Sequence, residues 1–202
     1  MEIVIYTFCV MYSPGPVNLL AFNGGVQRQG LTLAGYAAGV GAAMFTGFVV
    51  LGTLGSAVVN DAILPYIALA GSGYILYLAY RMFRAPVCPD TPCSARVRLR
   101  VRDGYLLQLL NPKGLVVILP VTTLMLPAAA IHGSALVVVV ALISIGAVGA
   151  PAAYALFGTA VGRRWRDKRM LGRLNRIMAV LLVLVACSIV YDFFLTGAVY
   201  PA

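Results

Sequence analysis

Charge is what this sequence has least of. Only 10% of its 202 residues are charged, against about 25% in an ordinary soluble domain. Acidic side chains are the scarcer sign, six Asp and Glu against fifteen Lys and Arg, and there is one histidine. No carboxylate stands near the middle of an apolar run: Glu2 and Asp61 lie at run ends, and Asp192 three residues from the end of the last. Neither a carboxylate proton relay nor a hard-metal site is therefore written into the runs. Cysteine is sparse too. Cys9 and Cys187 are isolated, while Cys88 and Cys93 bracket a Cys-Pro-Asp-Thr-Pro-Cys stretch with no histidine nearby, a spacing too loose to specify zinc. The expectation is a proline-punctuated loop, with no metal, no cofactor and no catalytic residue. A membrane thiol oxidoreductase using that cysteine pair stays open as a distant alternative function.

What fills the chain is apolar. The hydrophobic share is 61% and the mean hydropathy is +0.94. Six runs stand out, from Ile3 to Phe22, Leu33 to Val59, Leu64 to Phe83, Tyr105 to Met125, Ala135 to Val161 and Ile177 to Leu195, each near or above the roughly 20 residues that cross a bilayer as a helix. The fold class expected is an all-α integral membrane protein with six transmembrane helices. Glu2 occupies the place of a basic leader, and no small-residue cleavage site follows the first run, so that run is expected to be a retained span.

The net charge of +9 would suggest nucleic acid in a soluble protein, but here its placement follows the membrane. Arg28 lies between the first two runs. Arg81, Arg84, Arg96, Arg98, Arg100 and Arg102 lie at or between the third and fourth, and seven more basic residues, Arg163 to Arg176, between the fifth and sixth. The other turns carry none. The positive-inside rule then makes the odd-numbered loops cytoplasmic and puts both termini outside. The last basic stretch can also hold anionic lipid. A Pro- and Arg-rich linker, 84–103, divides the chain into halves 1–83 and 104–202. Three spans per half force opposite orientations, the arrangement of an inverted repeat.

The first run of each half is interrupted. Ser13-Pro14-Gly15-Pro16 breaks one and Asn111-Pro112-Lys113 breaks the other. Proline inside a helix removes a hydrogen bond at a cost of about 3 kcal/mol, and in lipid no water replaces it. With a rise of about 1.5 Å per residue, the breaks fall roughly 15 Å and 10 Å along their spans, near the midplane of a core about 30 Å thick. Ser13-Pro14 and Asn111-Pro112 each read as an N-cap residue followed by proline at the first helical position. Two helix N-termini would then face the centre, each offering free N–H groups and about half a positive charge to an anion such as a carboxylate. Gly15 allows close backbone approach.

Lys113 is the most informative single residue, because a lysine at mid-span costs about 2.5 to 3.5 kcal/mol and faces a polar interior. It is expected to pair with a substrate carboxylate or to carry a proton during the cycle. Asn18 and Asn111 offer amides at the same depth, and Tyr74 is expected to reach the cavity from the third run. Gly35, Gly39, Ala43 and Gly47 form a flat stripe on which another helix can close. Gly149-Ala150-Pro151 is a proline kink or a hinge in the fifth run.

Ser13-Pro14-Gly15-Pro16-Val17-Asn18, then Gly30, Gly35 and Gly39, Gly73 to Leu78, and Leu110-Asn111-Pro112-Lys113 together resemble the LysE/RhtB family of bacterial amino-acid exporters. Leu171 to Asn175 resembles its cysteine and O-acetylserine exporters. The resemblance covers nearly the whole chain. It implies a six-span inner-membrane exporter of amino acids or derivatives, with proton antiport and scope for a homodimer, and it marks Pro14, Gly15, Pro16, Asn18, Asn111, Pro112 and Lys113 as functional positions. Val17 departs from the polar residue many members carry, which makes substrate identity less transferable. A divalent-metal or other small-solute exporter of the wider superfamily is the nearest alternative function.

Overall fold

The computed structural model describes residues 2–54, 64–84, 99–131, 133–164 and 168–194. Every regular element among them is helical. In chain order these are α1 (Glu2–Tyr12), α2 (Pro16–Val26), α3 (Leu31–Leu54), α4 (Leu64–Arg84), α5 (Val101–Leu109) and α6 (Pro112–Pro120). A π-helical turn (Val121–Met125) and a short α7 (Leu126–Ala128) prolong α6, and α8 (Gly133–Arg164) and α9 (Lys168–Phe194) complete the bundle.

Three single helices are long and apolar enough to cross a membrane, Leu31–Gly52, Gly133–Arg164 and Gly172–Tyr191. Two bent pairs would each cross as one unit, giving five: Ile3–Tyr12 with Pro16–Val26 at 54°, and Val101–Leu109 with Lys113–Ala128 at 72°. The expected third span forms α4, which has Arg81 and Arg84 in its last turn and is not one of these five. The linker bearing Cys88 and Cys93, and the Asn60-Asp61 turn, lie outside the described residues. α8 leaves Leu142, Ile145, Leu156 and Phe157 largely exposed, a face suited to lipid.

Between helices in lipid there is no hydrophobic drive to associate, so close packing and polar bonds must do the work. α2 packs chiefly on α8, α5 on α3 and α4 on α9. The first two crossings are backbone-close: a Cβ on Gly25 would collide with the Ala155 carbonyl, on Gly158 with that of Phe22, on Gly39 with that of Val101, and on Gly104 with that of Tyr36. The small-residue stripe of α3 therefore seats α5 and, through Gly47 against Ile118, α6. The α4–α9 side is tied by amides. Asn175 Oδ1 accepts from Asn23 Nδ2 at 2.9 Å and Gln27 Nε2 at 3.0 Å, while its Nδ2 donates to the Met82 carbonyl at 2.6 Å.

Two apolar clusters result, one around Leu20, Tyr36, Ile75, Leu78 and Leu182, the other around Met44, Phe48, Val117, Val121 and Val140. The two helix breaks lie where the clusters meet. The Gly149-Ala150-Pro151 segment does not interrupt α8, which runs on through Pro151.

Candidate functional site

At the first break, α1 ends at Tyr12 and α2 begins at Pro16 with Gly15 as its N-cap. The expectation of Ser13 as N-cap and Pro14 as first helical residue is corrected by two positions. The residue before a proline is biased away from helix, and Ser-Pro-Gly-Pro imposes that bias on both Ser13 and Gly15. The helix restarts only at the second proline. Ser13 instead closes α1, its Oγ donating to the Val10 carbonyl at 2.8 Å.

That leaves the carbonyls at the end of α1 without intrahelical partners. Side chains satisfy them one after another. Asn18 Nδ2 donates to the Met11 and Ser13 carbonyls at 2.9 and 3.0 Å. The Tyr154 hydroxyl donates to the Tyr12 carbonyl at 3.1 Å. Lys113 Nζ donates to the Ser13 carbonyl at 2.9 Å, Ser13 Oγ at 2.7 Å and the Pro14 carbonyl at 3.2 Å. The Lys113 ammonium crosses to the other break and lies on the negative end of α1's dipole.

The second break follows expectation. Asn111 is the N-cap of α6 and Pro112 its first residue, and Asn111 Oδ1 accepts from the Lys113 N–H at 3.1 Å. No side chain caps the N-terminus of α2. Of the two helix starts, one is closed by its own asparagine and the other is not.

A cavity of about 40 Å³ lies between them, lined by Gly15, Asn18, Gln108, Asn111, Lys113 and Gly114 with apolar walls from both clusters, among them Val17, Val40, Met44 and Val117. Since one water needs roughly 10–15 Å³ of such space, it has room for about three water-sized groups. Ala150 and Pro151 of α8 close one side. A Cβ added to Gly15 would come within 3.2 Å of Lys113 Nζ, so glycine keeps that approach free.

Tyr74 is not brought to this cavity. Its hydroxyl donates to Asp103 Oδ1 at 3.1 Å, and Asp103 Oδ2 accepts from the Arg100 N–H at 2.8 Å, the reciprocal half of a capping box at the start of α5. Asp103 is buried, although an acidic residue amid arginines reads as linker in the sequence. Gln108 lines the cavity and was not expected there; its place one turn before Asn111 in the same run was the available signal. Asn175, noted only within a motif, anchors the amide cluster.

A helical protein with a lysine-bearing cavity between two broken helices, and with long lipid-compatible faces, has the form of a membrane transporter, and its family makes it one. The chain belongs to the LysE type translocator family, which matches residues 8–193. It is 31% identical over 192 residues to the cysteine/O-acetylserine efflux proteins of Salmonella choleraesuis and Salmonella typhimurium, with 92% of this chain and 94% of each relative covered. The protein of that description from Salmonella paratyphi A matches to the same extent. No solved structure matches the chain.

Proposed function

We propose that the protein exports small amino acids or their derivatives across the bacterial plasma membrane in exchange for protons. In this reading it has six spans arranged as two inverted three-span halves, 1–83 and 104–202, with both termini outside. The observation that carries the reading is the cavity between the breaks. A carboxylate entering it meets the uncapped amino end of α2 and the Lys113 ammonium together, which a helix end and a cation both favour. The relatives' cysteine and O-acetylserine are themselves small zwitterions with such a carboxylate.

Packing supports alternating access. At the end bearing Arg28, Arg100 and Arg163, the helices are closed by glycine–carbonyl seats. In this reading the conformation is closed toward the basic, cytoplasmic side. For exchange, the empty carrier must return inward bearing a proton taken up outside and released on the cytoplasmic side. A divalent-metal exporter or a thiol oxidoreductase has no observation in its favour among the described residues.

The test is efflux of cysteine, serine and O-acetylserine from loaded proteoliposomes, with and without an imposed pH gradient. Export accelerated by an inward proton gradient is expected. Absence of flux for every amino acid tried would remove the reading, and flux indifferent to the gradient would remove the proton.

A further inference from the structure

The cavity at the breaks continues sideways. Beyond Gln108 a second cavity of about 300 Å³ opens between α3 and the α5–α6 bend, sharing Met44, Gln108, Asn111 and Gly114 with the first. Its remaining wall is mostly apolar, with Ala43, Val50, Leu115 and Ile118. The two spaces differ in what they can hold. The first has room for little beyond a carboxylate and its α-carbon, and the second has several times that space and almost no polarity.

Gln108 stands at the junction. Its Nε2 donates to Met44 Sδ at 2.9 Å, and the amide lies over Gly114, where an added Cβ would fall 2.8 Å from Nε2. A thioether is among the weakest acceptors a protein offers. An amide N–H held by one in a low-dielectric setting gains by moving to an oxygen. The junction therefore holds a donor whose present partner is easily replaced, and only glycine at 114 leaves room for its amide there.

We propose that this second cavity is the side-chain subsite of the transporter, and that Gln108 selects its occupant. With the carboxylate at α2 and Lys113, the side chain reaches into the second cavity beside Gln108, whose N–H leaves Met44 for an oxygen on it. The rest of the side chain lies against the wall of α3 and α6. The substrate class is amino acids whose short side chain carries a hydroxyl or carbonyl oxygen, esters included. The proposal rests on the amino-acid export reading and adds the residue that discriminates among amino acids.

Counterflow in proteoliposomes reads it directly, with O-acetylserine and norleucine as probes of similar length that differ in side-chain oxygen. The unmodified protein should carry O-acetylserine at least about tenfold faster than norleucine, because a site that bonds an oxygen rejects the analogue lacking it. Gln108→Leu should bring that ratio close to one. Gln108→Asn, whose amide is one carbon too short to reach, should lower it in the same direction and serves if the leucine variant folds poorly. Met44→Leu, which removes the competing sulfur, should raise it. An equal slowing of both probes in the Gln108 variants, or an unchanged ratio, would overturn the subsite while leaving export intact. If the unmodified protein carries neither probe nor any other amino acid, the export reading itself fails. A lipid acyl chain resident in the cavity would show as cross-linking of photoactivatable lipid at Val50 that excess O-acetylserine does not reduce, and would equally overturn the proposal.

Discussion

The break between α1 and α2 and the break between α5 and α6 are finished at opposite ends. At the first, every carbonyl from Val10 to Pro14 has a side-chain partner, supplied by Ser13, Asn18, Tyr154 and Lys113, and the following helix start has none. At the second, the helix start is closed by Asn111. The difference shows how a membrane protein makes a polar site from apolar helices. Both breaks create unsatisfied groups of both signs, and at the first the side chains cover the carbonyls while the following helix start stays bare, with the Lys113 ammonium beside it.

Changes at either break test that contrast. The largest effect is expected from Lys113→Met, which removes the ammonium from the cavity and a donor from the Ser13 and Pro14 carbonyls together. Amino-acid efflux should fall about 100-fold or more, and stability by roughly 1–3 kcal/mol, read by proteoliposome flux and thermal unfolding in detergent. Normal efflux from a folded variant would end Lys113's role.

Gly15→Ala comes next. Its methyl would crowd Lys113 Nζ and Cδ at the open helix start, and flux should drop about tenfold through misplacement of the charge, with little change in unfolding temperature. A loss of stability equal to that of Lys113→Met would mean instead that Gly15 serves packing alone.

At the capped start, Asn111→Ala should cost about 1 kcal/mol by removing the cap. Asn111→Asp should keep the stability and still lose flux, because it brings a negative charge to the anion's place. If both variants transport alike, the two breaks do not differ in the way described. The smallest effect belongs to Tyr154→Phe, which takes one partner from the Tyr12 carbonyl on the side away from the ligand. About 1 kcal/mol or less of stability and a change in flux within about twofold are expected, measured in the same two assays.

Legibility in the sequence followed the range of the interactions. Asn111-Pro112 is local capping chemistry, and its place in the structure is the one its residue types dictate. Ser13 to Pro16 announced a break equally well but not its phase, because two prolines two apart compete for the restart and only the second has a residue before it free to act as cap. Lys113 stood out as costly, yet its partners lie 100 residues away and nothing in the local pattern names them. Tyr74 was expected at the cavity from depth alone. Depth does not fix the face of a helix, and Asp103 holds the tyrosine elsewhere. The small-residue stripe of α3 announced a close crossing without naming α5 as its occupant.

The glycine–carbonyl seats bear on how the protein is made. The partner of α2 is α8, that of α3 is α5 and that of α4 is α9, so each early helix docks on one that the ribosome has not yet synthesised. The first helices to enter the bilayer must wait there with Gly25 and Gly39 lacking the Ala155 and Val101 carbonyls they later approach, and Gly71 of α4 lacking that of Leu110. A chain halted before residue 101 has no native seat for them, and membrane quality control would meet it as an orphan. Supplying the missing portion as a separate polypeptide should rescue it, because the seats require proximity and not a continuous chain.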